Sequence, residues 1–402
     1  MNLPNMKTAK IRTKKKTETI YVEDLGITNL FSNSKYYLRT YGCQMNVHDS
    51  EEIKARVEAL GFTSVSDIKE CDLIILNTCA IRENVHDKVF GFLGKCKNLK
   101  KSNPNLMIIL CGCMAQEESI ALKIKEEYSF IDIVIGTHNI NELTEILKNK
   151  KKEQLINVYS YEGKIFENIP YKRDSKISAW VNIMYGCNRF CTYCIVPFTR
   201  GKERSRLPIN IIKEIEELIN NGYKEIILLG QNVNAYGHDL EQKINFAGLL
   251  KLVSETGISS IRFMTSHPWD FTDELIEVIK TKENIIKHIH LPVQSGSTKI
   301  LKLMGRKYSK EDYLNLHKKI KEEIPNVSIT TDIIVGFPGE EEEDFEETLD
   351  VVRQCRFDGA FTFIYSPREA TPAAKMKDDI SVSTKKARLQ KLNELIKSNI
   401  KP

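Results

Sequence analysis

No run of apolar residues in this chain approaches the roughly 20 that a helix needs to cross a bilayer, so no helical membrane span is expected. The opening stretch MNLPNMKTAKIRTKKKTE carries basic residues without the apolar core of a secretory signal, which points to a cytoplasmic protein. That location bears on the ten cysteines, because in a reducing compartment thiols serve more often as metal ligands than as bridges. Charge is not extreme either. A net charge of +5 permits an anionic partner such as RNA without demanding one, since a solvated lysine-rich surface gives the same figure. With 41% hydrophobic and 28% charged residues the composition is that of an ordinary globular chain, and 402 residues suffice for two or three domains with buried cores.

One further absence is local. In YGCNRFCTYCIVPFTRGKERSR, Cys187, Cys191 and Cys194 form a C-x3-C-x2-C triplet with no fourth cysteine beside it. Three thiolates on so short a tether converge on one metal centre but cannot close it, because structural zinc takes four protein ligands and a cubane has four irons to cap. An iron left without a thiolate accepts a small molecule, so the triplet reads as reactive rather than structural. Half of a zinc site completed elsewhere is the competing reading, and the flanks lack the paired C-x2-C halves of zinc ribbons.

Residues 1–35 form a lysine-rich lead without sustained periodicity, expected to be disordered. Residues 36–148 alternate apolar runs (YYLRTYG, DLIILN, LMIIL, IDIVIG) with amphipathic stretches (EEIKARVEAL, NVHDKVFGFLGKCKNL, ESIALKIKEEY), and Gly61 is placed to end the first helix. Such alternation predicts an open parallel α/β sheet covered on both faces. Cys43, Cys79 and Cys113 then follow the first, second and third strands, at spacings of 36 and 34 residues. All three face the crevice at the carboxyl ends of the strands, and they make a second candidate metal site. Three buried cysteines acting as small hydrophobes are the alternative. Cys71, Cys96 and Cys355 are assigned to cores, and Cys111 is left out of the site although it stands two residues from Cys113.

Residues 149–176 are charged, weakly periodic and contain Gly163 and Pro170, which suggests a linker. In residues 177–380 six strand candidates (AWVNIMYG, KEIILLG, SIRFMTS, KHIHLPV, SITTDIIVG, GAFTFIYS) alternate with helical stretches, predicting a partial (β/α)6 barrel. The cysteine triplet and the clusters at Gln231-Asn232, Ser266-His267-Pro268, Gln294-Ser295-Gly296, Gly336 to Gly339 and Ser366-Pro367-Arg368 each follow a strand, on the face that is catalytic in βα barrels. From loop position Tyr193, Gln231, Asn232, Ser266 and Gln294 are candidates for holding a cofactor. Arg200, Arg204 and Arg206 make the triplet loop basic and, with Arg368, are candidates for an anionic substrate. Residues 381–402 read as one amphipathic helix.

The triplet with Tyr193 before its last cysteine resembles the signature of radical S-adenosylmethionine (SAM) enzymes. From about Tyr37 to Ala374 the chain resembles the MiaB-type tRNA methylthiotransferases, through TYGCQMN, NTCAIREN and GCMAQ as well as the triplet. The resemblance implies two 4Fe-4S clusters, a catalytic one on Cys187, Cys191 and Cys194 and an auxiliary one on Cys43, Cys79 and Cys113. It further implies cleavage of SAM to a 5′-deoxyadenosyl radical, and methylthiolation at C2 of N6-isopentenyladenosine at position 37, beside the anticodon of tRNA. A radical suits that target, since no side-chain base removes an aromatic ring hydrogen near neutral pH. Implied partners are the tRNA anticodon stem-loop, SAM, an electron donor and a sulfur-supply protein, for a monomer that needs no membrane.

Siblings of this family act on threonylcarbamoyladenosine in tRNA or on a ribosomal protein. Gln44-Met45-Asn46, Ile81-Arg82-Glu83-Asn84 and Ser366-Pro367-Arg368-Glu369 resemble the isopentenyladenosine type, with Ala370 where glycine is expected. The family also carries a C-terminal RNA-binding TRAM domain, which is not found after the last helix here, so weak, salt-sensitive tRNA binding is expected. A metal-stabilised RNA-binding protein without turnover, or a two-cluster electron carrier, are the readings of another class.

Overall fold

A computed structural model describes residues 2–9, 11, 16–23, 25–80 and 83–399. The chain divides into two compact units. The first runs to Ser175 and adds Tyr185–Asn188 and Ile195–Arg204; the second comprises Lys176–Met184, Arg189–Cys194 and Ser205 onward.

In the first unit the strands are β1 (Thr19–Tyr21), β2 (Lys35–Thr40), β3 (Thr63–Ser64), β4 (Leu73–Thr78), β5 (Met107–Gly112), β6 (Ile133–Ile135), β7 (Leu155–Asn157) and β8 (Ile165–Glu167). Six of them form one parallel sheet in the order β3-β2-β4-β5-β6-β7. The reason is visible on β4 and β5, whose side chains alternate between two cores. Ile74, Leu76, Ile108 and Leu110 enter one apolar cluster, while Leu73, Ile75, Ile109 and Cys111 enter the other. A strand buried on both faces is what the predicted α/β layers require. The helix Gln44–Glu58 stops at Gly61, which takes φ +100° and donates its N–H to Glu58 O at 3.0 Å.

Two sequence boundaries are corrected. The lead is tied down where it is described: Asn2 exchanges hydrogen bonds with Ile156 O and Val158 N, Met6 and Ala9 are buried, and β1 pairs in parallel with β8. The stretch 149–176 is no linker, because β7 is an edge strand of the main sheet and β8 is the partner of β1. Three-residue strands carry too few alternations to stand out, and their pairing partners are distant in the chain. Ile81 and Arg82 of the IREN segment lie outside the described residues, as do the side chains of Glu83 and Asn84 and part of the basic lead.

The cysteine loop is flanked by the short strands β10 (Met184–Tyr185) and β11 (Arg204–Ser205), after β9 (Ser178–Asn182). In the second unit follow β12 (Glu225–Leu229), β13 (Ser260–Phe263), β14 (His288–His290), β15 (Ser328–Val335) and β16 (Gly359–Ile364). The parallel sets β9-β12-β13 and β14-β15-β16 are joined by a bridge of Ile261 to Ile285, so six strands follow one another as in the predicted partial barrel. On β15 Ile329, Thr331, Ile333 and Val335 are buried, and Ser328, Thr330, Asp332 and Ile334 alternate with them on the more open face. The final helix, Val382–Asn399, buries Leu392 and Ile396 in the barrel core. Arg388 fastens it: its guanidinium meets Glu340 Oε2 at 2.8 Å, and that carboxylate accepts from Gly336 N at 2.6 Å.

Candidate functional site

In the first unit Cys43, Cys79 and Cys113 each stand just past the carboxyl end of β2, β4 or β5, which brings them to one edge of the sheet. Cys43 is the N-cap of the helix Gln44–Glu58, where amide dipoles favour a thiolate. Its thiol is drawn below the ordinary value, first by a hydrogen bond from Cys79 and then by Arg200 and the amides of Asn46 and Met45, against the opposing effect of burial. The loops fit only with glycine before two of these cysteines. Gly42 has φ +134°, and a Cβ there would lie 2.5 Å from both Cys79 Cβ and Asn46 Oδ1. At Gly112, with φ +95°, a Cβ would strike Thr78 O and Asn77 Oδ1.

Asn46 and Asn77, both fully buried, lock the loops together. Asn46 Nδ2 donates to Asn77 Oδ1 (3.3 Å) and Thr78 O (3.1 Å), while Asn77 Nδ2 donates to Asn46 O (2.8 Å) and Ser50 Oγ (2.9 Å). Thr78 Oγ1 in turn donates to Cys111 O at 2.6 Å. Buried polar groups satisfied this fully make a rigid frame. Cys111 itself points into the apolar cluster with Ile53 and Ile75, and burial raises its thiol, as it raises Cys71 to about 11 and Cys96 and Cys355 to about 12.

Arg200 belongs to this site and was expected elsewhere. It is buried, its Nε–H donates to Cys113 Sγ at 3.1 Å, and its Nη2 meets Asp49 Oδ2 at 2.5 Å. Arg204 and Arg206 are also turned inward: Arg204 donates to Gly163 O and Arg200 O, and Arg206 to Asn182 O and Glu214. The expectation that these three arginines hold an anionic substrate is therefore corrected. Their alternating basic pattern resembled a phosphate-binding surface because several of the groups they satisfy, Asp49, Gly163 O and Asn182 O, are remote in sequence. Arg368 is likewise 8% exposed.

Around the triplet, Cys187, Cys191 and Cys194 are all half-buried. Cys187 N donates to Gly201 O at 3.1 Å, and the preceding Gly186 (φ +72°) leaves no room for a Cβ beside Lys202 O. In the second unit Cys194 N donates to Cys191 O at 2.9 Å, closing a turn, and Thr192 is held by Met304 O, Leu303 O and Ala373 N. Tyr193 packs against Phe337, with ring centroids 6.4 Å apart, beside the cluster of Ile300, Met304 and Tyr365. Among the described residues no three His, Cys, Asp or Glu side chains converge tightly enough for a single metal ion. A cubane makes a looser demand, because its capping thiolates are spread around four irons.

On the loops past the strands, Asn232 Nδ2 donates to Asp270 Oδ2 at 2.8 Å and Arg189 pairs with the other Asp270 oxygen. Ser266 Oγ donates to His290 O, and Gln294 takes φ +70° and pairs with Ile333. Gln231 is half-buried. Sequence reasoning placed His267 on this face only as part of the Ser266-His267-Pro268 cluster, and missed Asp270 and Arg306. Burial beside Arg306 and Arg189 pushes His267 down to about 2, so its imidazole stays neutral. Asn232 Oδ1, Arg189 Nε and Arg306 Nε are buried without a hydrogen-bond partner among the described residues. Orphaned polar atoms of both signs on a barrel's loop face suit a zwitterionic ligand.

Residues 181–352 match the Radical SAM superfamily, and residues 35–136 match Uncharacterized protein family UPF0004. A tRNA-2-methylthio-N(6)-dimethylallyladenosine synthase of Geobacillus kaustophilus is 54% identical over 98% of this chain and 75% of its own length. One from Bacillus cereus is 56% identical over 98% of this chain and 78% of its own. The chain belongs to this synthase family. Among solved structures, a radical S-adenosylmethionine methyltransferase from Kitasatospora setae, with cobalamin and a 4Fe-4S cluster bound, superposes at a TM-score of 0.61 over 86% of this chain and 77% of its own. At 13% identity that likeness concerns the fold alone. No helix among the described residues of this synthase-family chain is long and apolar enough to cross a membrane.

Proposed function

We propose that the protein is a radical SAM methylthiotransferase that converts N6-isopentenyladenosine at position 37 of tRNA to its 2-methylthio form. Identity above one half with named synthases over nearly the whole chain is the observation that carries this reading. When bound, two 4Fe-4S clusters and SAM supply the electron, the sulfur, the hydrogen-abstracting radical and the methyl group.

The chain's own residues hold and orient these groups. Cys187, Cys191 and Cys194 would hold the cluster that serves SAM, as three thiolates on a short tether. Cys43, Cys79 and Cys113 cap the auxiliary cluster, and their donor set fits it: three soft ligands, one already drawn toward the thiolate, in a frame that glycines and a buried amide pair keep open. Asn232, with Arg189 and Arg306 nearby on the same loop face, presents unpaired polar atoms suited to the amino and carboxylate ends of SAM. Tyr193, Gln231, Ser266 and Gln294 sit on that face and complete the cofactor side of the assignment.

The nucleobase has a suitable place on the open face of the barrel strands, where Phe361 is 57% exposed and its ring lies edge-on to His290, centroids 6.0 Å apart. An exposed aromatic beside hydrogen-bonding side chains is how unstacked bases are commonly read. An electron donor and a sulfur-supply protein complete the turnover. Nucleoside mass spectrometry of tRNA from cells with and without the gene tests the assignment: the methylthio adduct should disappear with the gene. Loss of an adduct on threonylcarbamoyladenosine instead would transfer the protein to a sibling substrate.

A further inference from the structure

We propose that Arg200 is a positioning residue for the metal centre of the first unit, donating from Nε to Cys113 Sγ and thereby setting the reduction potential of the cluster held by Cys43, Cys79 and Cys113. The inference rests on the cluster assignment made above.

The geometry is that of a clamped guanidinium. Asp49, on the helix that Cys43 caps, takes Nη2 at 2.5 Å, which aims the Nε–H at the sulfur 3.1 Å away. The backbone of Arg200 is held as well: its N–H donates to Val196 O at 2.8 Å, its carbonyl accepts from Arg204 Nη2 at 3.0 Å, and the adjoining Thr199 O accepts from Thr137 at 2.5 Å. A side chain fixed at both ends and buried at 6% exposure loses little entropy in making the sulfur contact.

A hydrogen bond to a ligating sulfur draws electron density from it, and a fixed cation in a low-dielectric surrounding favours the state with more negative charge. Both effects stabilise the reduced cluster and raise its potential. A guanidinium present only to neutralise Asp49 needs no contact with a cluster ligand, whereas this one spends a directed donor on it.

The test uses the full chain with Cys187, Cys191 and Cys194 replaced by alanine, so that one cluster gives the whole signal. Iron analysis at about four irons per chain first establishes the cluster itself; without it the assignment fails and this inference with it. A redox titration followed by electron paramagnetic resonance should then show a more negative potential for Arg200→Gln at equal iron content, with part of the shift recovered in Arg200→Lys. An unshifted potential in Arg200→Gln overturns the proposal. Should that variant not retain iron, the unsubstituted Arg200 decides: protein grown on nitrogen-15 arginine should show nitrogen hyperfine coupling to the reduced cluster in pulsed resonance, lost in Arg200→Lys. No such coupling overturns the proposal.

Discussion

Asn46 and Asn77 hold each other across the sheet edge, Asn77 Nδ2 donating to Asn46 O at 2.8 Å and Asn46 Nδ2 to Asn77 Oδ1 at 3.3 Å. One asparagine follows Cys43 by three residues and the other precedes Cys79 by two, so the pair fixes the distance between two thiols.

Replacing Asn77 by alanine takes the side-chain donor from Asn46 O and one of the two acceptors from Asn46 Nδ2 in a fully buried place, leaving Nδ2 only Thr78 O. An unsatisfied buried amide costs about 1–3 kcal/mol. The expected outcome is a lower thermal midpoint, read by circular dichroism, together with reduced iron uptake at the auxiliary site and normal uptake at the triplet. Unchanged stability would show that the amide pair contributes nothing to the frame.

Gly42→Ala places a methyl 2.5 Å from Cys79 Cβ on a backbone with φ +134°. Positive φ alone costs about 1–3 kcal/mol for a residue other than glycine, and the clash adds to it. Reconstituted Gly42→Ala should therefore hold close to half the iron of the parent, measured by iron analysis. Full loading would mean that the loop relaxes without disturbing Cys79.

Stability should fall as pH drops from 7 to 5 in the metal-free chain. Burial lowers His267 to about 2 and His317 to about 4, so the unfolded chain binds protons that the folded one refuses below the ordinary histidine value near 6.5. Their contribution is complete above that value and is lost progressively as pH falls below it. The loss reaches about 2 kcal/mol per histidine at pH 5. Urea unfolding at the two pH values measures it, and the slope should flatten in His317→Leu, which removes the imidazole that packs edge-on against Phe357.

Arg388→Ala removes the cation that neutralises Glu340, whose side chain is 1% exposed. Breaking a buried pair from one side costs about 3–5 kcal/mol. The final helix should then open to protease near Ser381 while the six barrel strands stay protected, as limited proteolysis with mass spectrometry would show. Equal protection of both would assign the docking to Leu392 and Ile396 alone.

Most of the site's scaffold was legible in the sequence. The cysteines fell at strand ends because β4 and β5 announce themselves as continuous apolar runs, and a strand–helix repeat places successive loops at one edge. Strands β1, β7 and β8 were not legible, because three residues give no periodicity and only the pairing partner makes them strands.

The amino-acid sequence by itself determined the order of the longer elements, the two groups of three thiols and the strand ends after which Cys43, Cys79 and Cys113 fall, since local alternation and parallel topology require nothing more. Only the tertiary structure decided which way the arginines face. Arg200 meets Asp49 across 151 residues of chain, and a buried cation's partner follows from packing rather than from any pattern within its own segment. A basic loop that reads as a surface for RNA is, once folded, turned inward onto carbonyls and carboxylates, with Arg200 donating to a thiol, that of Cys113.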